Sequence, residues 1–150
     1  MTAGELCTRE TVIIYENENI IEAAKLMKKF HVGDLVVVEE SEDGRIPIGI
    51  VTDRDIVVEV VAFEANPSDI LVKDIMSKDL LIAKEKDDIY EVLERMKDKG
   101  VKRVPVVDIY GYLVGILSSD DILELISEEL NDLVKILYKE VEKEQEKLGD

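Results

Sequence analysis

Two hydroxyl–carboxylate pairs recur at one spacing in this sequence. Thr52 and Asp55 lie in GIVTDRDIV (residues 49–57), and Ser118 and Asp121 lie in GILSSDDIL (residues 115–123). In each, an apolar run precedes the hydroxyl, and the acid follows three residues later. That is the pattern of a helix N-cap with a capping box, in which the hydroxyl accepts a backbone N–H and the carboxylate reaches back to the cap residue. Such a cap stabilises its helix by about 1 kcal/mol. The same groups can also face a ligand, the carboxylate accepting hydrogen bonds and the hydroxyl donating one. Catalysis finds no constellation here, because no nucleophile is paired with a base and no metal triad is present.

Other chemistries lack their residues. Cys7 is the only cysteine and His31 the only histidine, so neither an intramolecular disulfide nor a structural zinc site can form. His31 follows Phe30 where a helix should end, which reads as a helix-end residue. There is no Walker-type glycine loop and no G-x-S-x-G elbow. The net charge of −16 disfavours nucleic acid, which is held by neutralising phosphates with Lys and Arg. No apolar run approaches the roughly 18 residues of a membrane span, and the start, MTAGELCTRE, has no signal-peptide pattern. The expectation is a cytoplasmic chain that binds neither membrane nor nucleic acid.

The elements that position the two pairs belong to an internal repeat. At an offset of 69, Glu16 meets Glu85, Ile20 meets Ile89, Met27 meets Met96, and VVV at Val36–Val38 meets PVV at Pro105–Val107. The offset then drops to 66, so that Gly49 meets Gly115 and Asp55 meets Asp121. The difference falls in EESEDGRIP, a polar turn that tolerates length change. Each copy predicts a short strand (Val12–Ile14; Leu81–Ala83) and then an amphipathic helix (Ile20, Ala23, Ala24, Met27; Ile89, Val92, Leu93, Met96). Two strands follow (Leu35–Val38 with Ile48–Val51; Val104–Val107 with Leu113–Leu117), and the hydroxyl–acid phrase opens a second helix. LVVV suggests burial on both faces. The fold class is α+β: tandem β-α-β-β-α units, packed with pseudo-two-fold symmetry. Residues 6–62 form the first repeat, 63–74 a linking helix and turn with Pro67 and an N-cap at Ser68, and 75–126 the second repeat. Residues 127–150 form a charged C-terminal helix. Along it Leu123, Ile126, Leu130, Leu133 and Leu137 step by 3, 4, 3, 4, a coiled-coil-like seam. The seam lies either on its own domain or in a dimer contact.

Both copies resemble a CBS domain (named for cystathionine β-synthase). The resemblance rests on the helix stripe, on VPVVD, and on the duplicated glycine–apolar–apolar–hydroxyl–x–x–Asp phrase. Together they resemble a CBS pair, or Bateman module, over about Leu6 to Ile126. The resemblance implies clefts between the repeats that bind AMP, ADP, ATP or S-adenosylmethionine, with Asp55 and Asp121 accepting from ribose hydroxyls. It implies one cleft with Thr52, Arg54, Asp55, Ser77, Leu81, Val101, Lys102 and Arg103, whose three cations suit phosphates. It implies a second with Thr8, Val12, Gly33, Asp34, Ser118, Asp120 and Asp121. There Gly33 and Asp34 stand where the first has Lys102 and Arg103, so that cleft is empty, takes a ligand without phosphates, or needs Mg²⁺ as a bridge.

The leading reading is therefore a stand-alone regulatory module, not an enzyme. It requires no cofactor, forms a homodimer, senses an adenine nucleotide and controls a separate, unidentified partner protein. The alternatives are a ligand-free dimerisation or interaction scaffold, and a divalent-cation (Mg) sensor with clustered Asp34, Asp120 and Asp121. An enzyme using the two aspartates as acid and base would need both in one pocket, whereas the repeat separates them. Convergence of Arg54, Lys102 and Arg103 on one cavity is the feature that favours the nucleotide reading over the scaffold.

Overall fold

Ile20, Ala23 and Met27 make one buried face of helix α2 (Ile20–Phe30), as their spacing requires. The computed structural model describes residues 1–149; Asp150, the last residue of the expected C-terminal helix, lies outside them. Strand β1 (Ile13–Tyr15) precedes α2, and β2 (Asp34–Glu40) and β3 (Arg45–Thr52) follow it. Helix α3 (Asp53–Ile56) then runs into a π-helical turn, Val57–Val61. The second copy repeats this with β4 (Ala83–Lys84), α5 (Ile89–Lys99), β5 (Arg103–Val107), β6 (Leu113–Ser118) and α6 (Ser119–Lys147). Two short helices precede the copies, α1 (Ala3–Leu6) and α4 (Val72–Ile75). The first strands begin one to two residues later than their apolar runs suggest.

Each repeat holds one three-stranded mixed sheet, in the orders β1-β2-β3 and β4-β5-β6. In both, the first strand pairs parallel to the central one and the third antiparallel. The central strands are buried on both faces. Leu35 and Val37 enter the core of the first repeat, and Val36 and Val38, which alternation directs to the opposite face, are equally buried. The turns of the two β-hairpins meet, since a Cβ on Gly44 would lie 2.7 Å from Tyr112 Cγ.

The segment ahead of each repeat completes the other repeat's core. Ala3 and Cys7 pack with Ala83, Val92, Val104 and Leu117, and Val72 packs with Ile14, Ala23, Leu35 and Val51. Two backbone bridges fix the exchange. Thr8 and Ile116 trade N–H···O bonds of 2.9 Å each, and Ser77 and Ile50 do so at 2.9 and 3.2 Å. Burial pushes the Cys7 thiol above its ordinary value, in keeping with a packing role.

Three local expectations are corrected. Ala24 is exposed, because the buried face of the helix is turned toward Leu26, which packs on the core, and leaves Ala24 at the opposite edge of the stripe. The 3-10 turn Pro67–Asp69 is capped by Asn66, whose side chain accepts from the Ser68 N–H; with Pro67 at the first helical position, the cap must precede it. The C-terminal segment does not lie on its own domain. Helix α6 runs 29 residues with Ile122 as its one buried residue, and Leu130, Leu133 and Leu137 are 61, 61 and 62% exposed.

His31 does end α2, in the left-handed conformation (φ 54°), where its equivalent Gly100 ends α5 at φ 72°. Only glycine enters that region without steric cost.

Candidate functional site

The caps come first. The Asp55 N–H donates to Thr52 Oγ1 at 3.1 Å, and the Thr52 N–H donates to Asp55 Oδ2 at 2.9 Å. Ser118 and Asp121 repeat both bonds at 3.1 and 3.0 Å. Both phrases are therefore capping boxes. Each box uses one carboxylate oxygen, and the hydroxyl enters it only as an acceptor. The second oxygen and the hydroxyl proton stay free for a further partner.

Both pairs also line cavities, one on each side of the pseudo-two-fold. The first, of about 460 Å³, gathers Thr52, Arg54, Asp55, Ser77, Leu81, Val101, Lys102 and Arg103, every residue assigned to it from sequence. Ile50, Asp53, Asp79, Leu80 and Gly100 add to its wall. Its volume lies within the roughly 300–1,000 Å³ usual for small-molecule sites. The cations Arg54, Lys102 and Arg103 all line it. Of the acids, Asp79 is paired with Lys99 Nζ at 2.7 Å, and Asp53 accepts from the Arg54 N–H at 2.8 Å.

The second cavity is smaller, about 190 Å³, and joins Thr8, Val12, Asp34, Ser118 and Asp121 with Glu10, Thr11, Val32, Ile116 and Arg103. Thr11 Oγ1 is buried there without a hydrogen-bond partner among the described residues. Two residues expected here sit elsewhere. Gly33 lines the first cavity, because its carbonyl accepts from the Asp53 N–H at 2.9 Å and ties it to the start of α3. Asp120 is exposed and outside the wall, although its equivalent Arg54 lines the first cavity. Arg103, assigned to the first cavity alone, borders both and pairs through Nε with Asp34 Oδ1 at 2.9 Å. Burial pushes the Asp34 carboxyl above its ordinary value; Arg103 pulls it down and Asp53 pushes it up.

The exchange described above supplies a hydroxyl to each cavity. Ser77 reaches the first and Thr8 the second, each carried on a segment that crosses to the other repeat. The repeat marks Thr8 and Ser77, and Ala3 and Val72, as equivalent at the offset of 69, but equivalence alone does not show that their segments cross. Among the described residues, no group of three or more His, Cys, Asp or Glu is placed to hold a metal, so the clustering of Asp34, Asp120 and Asp121 that a cation sensor needs does not occur. No helix among them is long and apolar enough to cross a membrane.

Duplicated β-α-β-β-α units with a cleft on each side define a tandem-repeat module. A family model of the CBS domain matches residues 3–62 and 72–128; the chain belongs to that family and carries a CBS pair. It is 34% identical over 148 residues to an uncharacterized protein of Methanopyrus kandleri, covering 99% of this chain and 72% of that one. It is 33% identical over 122 residues to inosine-5′-monophosphate dehydrogenase of Methanocaldococcus jannaschii, covering 81% of this chain but 23% of the enzyme. Among solved structures, the CBS domain pair of protein MJ0100 in complex with 5′-methylthioadenosine and S-adenosyl-L-methionine superposes with a TM-score of 0.74. Its sequence is 28% identical, over 86% of this chain and 98% of that one. A hexameric CBS-CP12 protein from bloom-forming cyanobacteria gives a TM-score of 0.71 at 31% identity, over 82% of this chain and 69% of that one.

Proposed function

We propose that this CBS pair is a regulatory sensor of a phosphate-bearing adenine nucleotide (AMP, ADP or ATP), bound in the cleft of Thr52 and Asp55. The observation that carries the reading is that Arg54 and Lys102, beside the Asp34-paired Arg103, all line that cavity. Guanidinium groups match phosphate oxygens bidentately, and the free carboxylate oxygen of Asp55 is a partner for ribose hydroxyls. Leu80, Leu81 and Val101 offer an apolar wall for a base. S-adenosylmethionine, with which the MJ0100 pair is in complex together with 5′-methylthioadenosine, offers Arg54 and Lys102 no phosphate to bind. In this reading the protein is not an enzyme. The nucleotide favours one packing of the two repeats and shifts the population toward it, and a separate partner, in the cytoplasm, reads the change.

A thermal-unfolding panel of AMP, ADP, ATP, S-adenosylmethionine and Mg²⁺ tests the proposal. A nucleotide at one hundred times its dissociation constant adds about 2.7 kcal/mol. Protection by S-adenosylmethionine alone, or by nothing in the panel, would refute it.

A further inference from the structure

Asp34 and Arg103 are equivalent residues of the two repeats, 69 positions apart, and each opens a central strand. Their side chains meet across the pseudo-two-fold at 2.9 Å, 15 and 39% exposed. Each is paired in register with a cap hydroxyl, Asp34 with Thr52 and Arg103 with Ser118. Arg103 borders both cavities and is, among the described residues, the only cation in the wall of the second, whereas the first adds Arg54 and Lys102. The second cavity thus contains a guanidinium whose charge is already cancelled. A phosphate entering there would have to displace Asp34 and leave that carboxylate with little water and no cation, a costly arrangement.

We infer that Asp34 is the specificity-determining residue of the pair: by holding Arg103 it denies phosphate to the Ser118–Asp121 cleft and confines a phosphate-bearing ligand to the Thr52–Asp55 cleft. The inference rests on the nucleotide reading for the first cleft, but it makes a claim about the second that can be tested apart. Removing the charge of Asp34 frees the guanidinium, and the second cleft then gains an unpaired cation, while its smaller volume and the carboxylates of Glu10 and Asp121 keep its binding weaker than that of the first.

Calorimetric titration of the full chain with AMP, and separately with inorganic pyrophosphate, reads the stoichiometry directly. The wild type should show one binding event per chain. Asp34→Asn, which keeps the side-chain size, should show a second, weaker one, and Asp34→Ala should do the same if the Asn variant folds poorly. Asp34→Asn combined with Arg103→Gln should lose the gained event and keep the first, weakened. Asp34→Asn with the wild-type stoichiometry overturns the inference. So does a wild type that already binds two, or a gained event that survives loss of Arg103. A wild type that binds nothing while Asp34→Asn gains one event refutes the function proposed for the first cleft and leaves the role of Asp34 standing. No binding by either chain overturns both.

Discussion

Thr52 and Asp55 serve one geometry with two uses. The capping box fixes both side chains with two hydrogen bonds, so a ligand meets them already oriented and loses little to their ordering. Ser118 and Asp121 are fixed in the same way, which supplies an internal control. Asp55→Ala and Asp121→Ala remove the same returning bond of the capping box and should cost equal stability, up to about 1 kcal/mol each. They should differ in nucleotide binding. A hydrogen bond to a charged group contributes about 1.5–3 kcal/mol, so Asp55→Ala should weaken AMP binding by roughly tenfold or more while Asp121→Ala leaves it near wild type. Equal losses, measured by calorimetry, would mean that the caps alone matter. Asp34 gives a pH signature. Its carboxyl holds its proton more tightly folded than unfolded, mainly through burial. Its ionised form therefore subtracts from stability at neutral pH, and acidification through the folded pKa removes that penalty. Asp34→Asn should melt higher than wild type at pH 7, and the gap should close as the pH falls through the carboxylate range. A constant gap across that range would rule the account out.

At the scale of elements, the duplicated phrase opens on glycine for a packing reason. Gly49 and Gly115 lie where the exchanged segments pair with β3 and β6. A Cβ on Gly115 would sit 2.7 Å from the Thr8 carbonyl oxygen, a backbone atom held in the bridge. A Cβ on Gly49 would meet the Met76 sulfur at 2.7 Å and the Ser77 carbonyl oxygen at 3.1 Å, and a methionine side chain can move. Overpacking costs about 1–3 kcal/mol, so Gly115→Ala should fall near the top of that range and Gly49→Ala near the bottom. Chemical denaturation of the two variants would show it, and the reverse order would mean that the exchanged segments yield more easily than the side chains. The strands and the paired helices were legible in the sequence, because a repeat aligned on itself marks equivalent positions; the eight residues assigned to the first cleft followed from the family resemblance, and Gly33, Ile50, Asp53, Asp79, Leu80 and Gly100 were missed. The exchange of α1 and α4 was not legible, because four-residue helices carry too little periodicity to reveal which core they enter. The second cleft was read less well for a related reason. Symmetry places Arg103 opposite Ser118, but only side-chain geometry reveals that a long guanidinium reaches over the axis to Asp34.

For the whole molecule, the exposed face of α6 poses the largest energetic question. Leu123, Leu130, Leu133 and Leu137 are each more than 60% exposed, and Val57, which repeats at Leu123, is 57% exposed on the first repeat. An apolar face this long on a charged helix marks an interaction surface, and its 3, 4, 3, 4 spacing is that of a helix packed against helices. We propose that a second copy of the chain covers it. The net charge of −16 opposes the pairing of two copies, so apolar burial must outweigh repulsion, and added salt should tighten the dimer by screening it. Burying one leucine is worth about 1.5–3 kcal/mol. Leu130→Glu with Leu133→Glu removes four such side chains from a dimer, about 6 kcal/mol at the low end, and weakens association by roughly four orders of magnitude. Light scattering should then show the wild type as a dimer at micromolar concentration and the double variant as a monomer. Both substitutions lie far along α6 from the caps, so AMP binding in the first cleft should persist in the monomer. A wild type that stays monomeric in high salt would show that something other than a second copy covers this face. A double variant that still dimerises would move the contact to the Val57 surface.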